Sequence, residues 1–118
     1  MWIHTTIGFV STVADNQQPG NILLRFRTMQ HATALAGLIR DPVDIRTTPP
    51  PADYRFKFSI PRPVFEALLL ELAREVTYTN FKGACSNSTE MAPYSGALHR
   101  TWEVWEAIQP KPTTSTRH

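Results

Sequence analysis

Cysteine is nearly missing from this chain: Cys85 is the only one among 118 residues. No internal disulfide is therefore available, and a thiolate metal site would have to recruit His4, His31, His99 and His118, which have no metal-ligand spacing. The fold should hold without cross-links, and we expect neither a metal nor a cofactor. Long apolar runs are missing too. None approaches the ~18 residues that a membrane span needs, and Met1-Trp2-Ile3-His4 lacks the basic-then-apolar pattern of a secretory leader, so a cytoplasmic chain with no membrane partner is expected. Charge of one sign is also scarce. Twelve basic against ten acidic side chains leave +2, too little for global charge to drive attachment to nucleic acid, so any electrostatic site must be local.

Catalytic signatures are equally thin. There is no Gly-Lys-Ser/Thr phosphate loop and no Gly-Xaa-Ser-Xaa-Gly elbow. Cys85 with His99 is the one nucleophile and base pairing worth weighing, against the commoner case of an inert lone thiol. Glu71 and Glu75 stand at i,i+4 and read most simply as a solvated helix face, as do Glu103 and Glu106. A protein that works by binding, without chemistry of its own, is the expectation.

What the chain does contain is a pattern that occurs twice: a basic, aromatic strand running directly into an amphipathic helix. Ile22-Leu23-Leu24-Arg25-Phe26-Arg27 leads into a helix over 29–40, with Thr28 as N-cap and Ala32, Leu35, Ala36 and Ile39 at helical spacing. Tyr54-Arg55-Phe56-Lys57-Phe58 leads into a helix over 63–76, begun by Pro63 and striped by Phe65, Leu68, Leu69, Leu72 and Val76. Ahead of these, residues 3–13 alternate as one half-buried strand, Ile3, Thr5, Ile7, Phe9, Ser11 and Val13 against His4, Thr6, Gly8, Val10 and Thr12. A short strand over 43–47 precedes Pro49-Pro50-Pro51 and should lie at a sheet edge, and the fourth strand, 53–60, should turn Tyr54, Phe56, Phe58 and Ile60 inward. Residues 83–92 read as a mobile loop, 93–108 as a third helix with Tyr94, Leu98, Trp102 and Trp105 on one side, and 110–118 as a disordered Pro, Thr and Ser tail.

One α+β domain over 1–109 follows, a ferredoxin-like β-β-α-β-β-α sandwich or a circular permutation of it, with an extra C-terminal helix. The permuted form puts the strands in the order first, second, fourth, third with the two central strands parallel. Arg25, Arg27, Arg55 and Lys57 would then share the sheet face opposite the helices, flanked by His4, Thr6 and Arg46. Three readings stay open: a local anion site, a merely solvated face, or a face covered by the C-terminal helix with Trp102 and Trp105 on the arginine stems. A second candidate is Tyr78-Thr79-Asn80-Phe81-Lys82, in which Tyr78, Asn80 and Lys82 either recognise a ligand or simply pack and cap the next turn.

Met1-Trp2-Ile3 with Thr5, Gly8-Phe9 and Ser11, together with Tyr78-Thr79-Asn80-Phe81-Lys82 and a late Trp-containing helix, resembles a group of small uncharacterised bacterial and phage proteins. That resemblance implies a shared domain and brings no activity with it. The leading expectation is a small intracellular interaction module that engages a protein partner through Trp102 and Trp105 or through the basic sheet face. The alternative is single-stranded nucleic acid on that face. Against it stands a shortage of stacking aromatics, since Phe26, Phe56 and Phe58 point the other way and only Trp2 substitutes.

Overall fold

The computed structural model describes residues 1–111, so the tail expected over 110–118 lies, from residue 112 on, outside the described residues. The alternating N-terminal segment makes two strands where one was expected. β1 (Trp2–Thr5) and β2 (Gly8–Ala14) pair antiparallel across a turn at Thr6 and Ile7. Two-residue hairpin turns favour left-handed residues, yet among the described residues only Gly20 has positive φ. The Thr5 side chain closes the turn instead: its Oγ1 donates to the Gly8 carbonyl at 2.8 Å and accepts from the Ile7 N–H at 3.1 Å.

β3 (Asn21–Phe26) follows a loop closed by Asp15, whose Oδ1 accepts from the Gln17 and Gln18 N–H groups at 2.9 and 3.3 Å. Gly20 sits in that loop at φ 88°, a conformation L side chains rarely adopt. α1 (Met29–Ala36) starts where expected, with the Thr28 side chain accepting from the His31 N–H, and ends four residues earlier than its apolar spacing suggested. β4 (Arg46–Thr47) is a two-residue edge strand. β5 (Phe56–Pro61) runs straight into α2 (Arg62–Arg74), and α3 (Phe81–Ser86), a 3-10 turn (Ala92–Tyr94) and α4 (Ser95–Ile108) complete the chain.

The product is a mixed α and β structure with a five-stranded antiparallel sheet ordered β1-β2-β3-β5-β4. The longer strands take the expected order, but the central pair, β3 and β5, is antiparallel, which corrects the parallel pairing. The cause lies in the connection: α1 carries the chain to the far edge, and a tight return, with the Thr48 N–H on the Arg55 carbonyl at 2.7 Å, sends β5 back between β3 and β4. Val10, Leu24, Phe26, Leu35, Phe58, Phe65 and Leu68 form the core between one sheet face and the first two helices, with Phe26 and Phe58 stacked at 5.4 Å. Leu68 is central there, whereas Leu69 is only half-buried and Val76, past the helix end, is exposed.

Residues 83–92 are not a loop throughout. Cys85 and Met91 bury themselves with Leu98, packed by Phe81 and Tyr94, as a second small cluster. This cluster is pinned to the β1–β2 turn, where the Ser88 hydroxyl donates to the Thr6 carbonyl and Cys85 Sγ lies 3.9 Å from the Thr5 carbonyl.

Two expectations follow. Leu68→Ala should cost about 2–5 kcal/mol and Leu70→Ala, half exposed on the same helix, under about 0.5 kcal/mol in urea unfolding; the reverse ranking would put the wrong face of α2 on the core. The second concerns acid. The Ser59 hydroxyl, donating to Asp15 Oδ2 at 2.6 Å, and the Gln17 and Gln18 N–H groups hold the Asp15 carboxyl below its ordinary value. With its folded pKa depressed, that contribution is complete above the ordinary carboxylate value of about 3.9 and is lost as pH falls through the lower folded value. Asp15→Asn should therefore lose stability less steeply than the parent below about pH 4; parallel pH profiles would remove Asp15 from the account.

Candidate functional site

Strand register decides what the uncovered face of the sheet displays. Trp2 pairs with Ser11, Ser11 with Arg25, Arg25 with Lys57, and Lys57 with Arg46, so these five form one row across all the strands. At the usual strand spacing of about 4.8 Å the row spans about 19 Å. The row is bordered by Val13, Leu23 and Ser59 on one side and by His4 and Phe9 on the other, and the carboxylate nearest to it is Asp15, just past β2, which accepts from the Ser59 hydroxyl at 2.6 Å. The core helices lie on the opposite face, and α4 packs chiefly on α3 and the 3-10 turn.

The cations are held differently. Arg25 Nη2 donates to the buried Ser11 hydroxyl at 2.8 Å, while its Nε is buried without a partner among the described residues. Its guanidinium lies 4.7 Å from the Tyr54 ring centre, and Arg27 lies 4.5 Å from the same ring. Tyr54 is thus buried beneath two arginines, outside the core cluster, where strand alternation had turned it inward; it falls in a bend before β5, so strand parity does not reach it. Arg27 also pairs with Asp53 at 2.8 Å, a hydrogen bond that raises its pKa and gives it a counter-ion within the fold. Arg55 Nε donates to the Thr48 carbonyl at 3.2 Å, bracing the β4–β5 return. Lys57 and Arg46 make no side-chain hydrogen bond or ion pair among the described residues. Arg25, Lys57 and Arg46 are therefore three lateral neighbours of like charge, a repulsion offset in part at the Arg46 end by Asp15, which is hydrogen-bonded to Ser59 on the same face and close enough to Arg46 to feel its charge.

The other end of the row is aromatic. Because the turn at Thr6 and Ile7 reverses strand parity, Phe9 faces outward beside Trp2 and His4, which corrects its placement with Ile3 and Thr5. Trp2 meets Phe9 edge-on at 6.0 Å, and the His4 ring lies 4.7 Å from Phe9. Partial burial lowers the His4 pKa, leaving a neutral ring at pH 7. The signal for Phe9 lay in Gly8, where a Cβ would come within 2.8 Å of His31 Cβ, so Gly8 must face the α1 side and Phe9 the other.

Trp102 and Trp105 do not cover the arginine stems. Both remain exposed on α4, with Lys82 Nζ 4.7 Å from the Trp102 ring centre. In the Tyr78–Lys82 segment, Asn80 caps α3 by accepting from the Gly83 N–H at 3.1 Å, and Tyr78 packs on Phe81 at 5.7 Å. Phe81 of this segment packs on the second cluster, and Asn80 and Lys82 line a cleft of about 860 Å³ with His4, Trp102 and Trp105, at the β1 edge of the sheet and away from the cation row. Among the described residues no three His, Cys, Asp or Glu side chains come together to hold a metal ion, and no helix is long and apolar enough to cross a membrane. Comparison of the chain with protein-family models, curated proteins and solved structures gives no match.

Cys85 is almost fully buried, and that burial pushes its thiol pKa up, while His99 points to solvent and pairs with Glu103 at 3.1 Å. Native protein should therefore react with a thiol reagent at pH 7 far more slowly than urea-unfolded protein, with the gap narrowing as the pH rises. Fast labelling of folded protein would mean that the second cluster opens.

Proposed function

We propose that this chain is a non-catalytic binding module whose open sheet face takes a single-stranded nucleic acid, with phosphates on Arg25, Lys57 and Arg46 and bases on Trp2, Phe9 and His4. One observation carries the reading: the turn at Thr6 and Ile7 puts Phe9 beside Trp2 on the cation-bearing face, supplying the stacking pair that alternation alone withheld. Aromatic platforms next to basic grooves are how proteins bind unpaired strands without reading sequence, and a sheet of this width accommodates about two or three bases. The order of strands, with two helices on one face, supports describing the domain as a circularly permuted ferredoxin-like sandwich extended by β1 and the C-terminal helices. Kinship with the small bacterial and phage proteins and an intracellular setting belong to the same proposal and rest on sequence alone.

A second reading is favoured by α4. Its apolar stripe is covered at Leu98 but continues uncovered through Trp102, Val104, Trp105 and Ile108, each more than half exposed, a concentration suited to a protein partner.

Anisotropy titration of fluorescently labelled oligo(dT) of about ten nucleotides at low salt tests the first reading. Binding should weaken with salt at a log–log slope of about −2, as expected for neutralising about three phosphates of a single strand. Lys57→Glu with Arg46→Glu should lower affinity at least about tenfold, while circular dichroism stays that of the parent. No binding, or binding indifferent to that reversal, would leave α4 and a protein partner as the better account.

A further inference from the structure

Between the aromatic end of the row and α4 lies a cavity of about 410 Å³, walled on one side by the Trp2, Phe9 and His4 to which the sheet-face reading assigns bases and on the other by helical residues which that reading does not use. We infer that it receives one unpaired nucleobase, the terminal base of a strand whose phosphates continue along the cation row. The inference rests on the sheet-face reading and adds to it a site, an occupant and a direction of binding.

The walls suit a flat ring. Trp2 and Phe9 stand on the sheet side, and Tyr94 and Trp105 on the helical side. Trp2 and Phe9 meet at 78°, and Tyr94 stands edge-on to His31 at 5.1 Å, so the aromatic surfaces are set by their neighbours. Burying a base here would also cover the exposed faces of Trp2 and Trp105, 69% and 67% accessible. The volume falls within the range of small-molecule sites, in which mostly apolar walls carry a few polar groups that fix orientation.

Those polar groups are present. The Thr28 hydroxyl, which caps α1 as an acceptor and keeps its proton to donate, the Thr101 hydroxyl, which donates to the Ala97 carbonyl at 2.9 Å and can still accept, and the neutral His4 ring are available to the edge of a base. His31 is not among the free ones: its Nδ1 accepts from the Phe9 N–H at 3.3 Å, so its Nε2 carries the proton and donates to the Glu90 carbonyl at 3.1 Å. It is a strut that fixes the spacing of the two walls.

Charge supplies the direction. Arg27 lines the cavity and shares the Tyr54 ring with Arg25, which begins the run Arg25, Lys57, Arg46 away from it. A neutral aromatic group in the cavity with its anionic continuation on that run satisfies both ends, whereas a purely apolar occupant would leave the cations unanswered.

The test compares oligo(dT) of about ten nucleotides with the same strand carrying an abasic residue at its 5′ or its 3′ end. For the wild-type protein, one of the two abasic strands should bind about tenfold more weakly than the intact strand, the loss expected of one stacked base. Trp105→Ala should bind the intact strand as weakly as wild type binds that abasic one and should not distinguish the two. A terminal 2-aminopurine should be quenched on wild type and much less on Trp105→Ala; Trp105 is exposed, so this variant should fold, and circular dichroism checks that it does. Equal affinity for intact and abasic strands, with the salt dependence and the Lys57 and Arg46 effects intact, overturns the base site and leaves the sheet-face reading standing. Absence of binding by every strand overturns both.

Discussion

The Thr5 hydroxyl is the small interaction on which the rest of this structure depends. A two-residue turn between β1 and β2 has no left-handed residue to close it, so Thr5 bonds both the Gly8 carbonyl and the Ile7 N–H. The turn shifts the inward face from Ile3 and Thr5 to Gly8, Val10 and Thr12, and the outward face to Phe9, Ser11 and Val13. A register slip of one residue would invert every one of these side chains. Gly8 would then no longer meet His31, and Phe9 would enter a core with no space kept for it. The same turn presents the carbonyls of Thr5 and Thr6 to Cys85 and Ser88, so it also anchors the C-terminal helices.

The cation row has the opposite character, because it costs stability and the fold only partly answers it. Arg25 is braced by Ser11 and Tyr54, and Arg27 by Asp53 and the same ring. Cation–π contacts of this kind contribute about 0.5–1 kcal/mol at exposed sites and more when desolvated. They explain why a tyrosine is buried on the polar side of the sheet. No such partner meets Lys57, which lies between Arg25 and Arg46 in register. A fold that braces Arg25 and Arg27 and leaves Lys57 beside Arg46 places its least compensated charge on β5 and the β4 edge of the sheet.

Much of this was legible in the sequence, and the failures have identifiable causes. Ile22, Leu24 and Phe26 alternate with Leu23 and Arg25 without interruption, so the inner and outer faces of β3 and β5 could be read directly, and with them Arg25 and Lys57. Thr28 and Asn80 were legible as caps because a short polar side chain at a helix start reaches back to a backbone N–H that has no partner within the helix. Phe9 was misplaced because Ile7 occupies the turn and Val10 follows Phe9: apolar residues of both parities hide the reversal. Tyr54 was misplaced because alternation was carried past the start of β5 into a bend. Leu69, which the spacing puts on the α2 stripe, is only half-buried because Phe65 and Leu68 already fill the centre of that stripe. The antiparallel central pair depends on how tightly the chain returns from β4, which periodicity does not encode.

The helical unit shows why the aromatic end of the sheet is a cavity and not a packed contact. Its own core is small, Cys85, Met91 and Leu98 with Phe81 and Tyr94, and its attachments lie near one end of β1. His31 reaches from α1 to the Glu90 carbonyl and spaces the unit from the sheet, while the Phe9 N–H fixes its tautomer from the other side. α4 is about 21 Å long at the helical rise, but only its first turns are held down, by Leu98 and Tyr94. Its later turns, with Trp105, therefore stand off from Trp2 and Phe9 instead of closing on them. The gap is thus a geometric consequence of a long helix docked near its start; it is lined by aromatic residues on both sides, of which Trp2 and Trp105 stay largely exposed. Apolar surface left uncovered on both walls of one gap, at the end of a row of cations that the fold only partly compensates, is more economically explained by an occupant than by two independent lapses in burial.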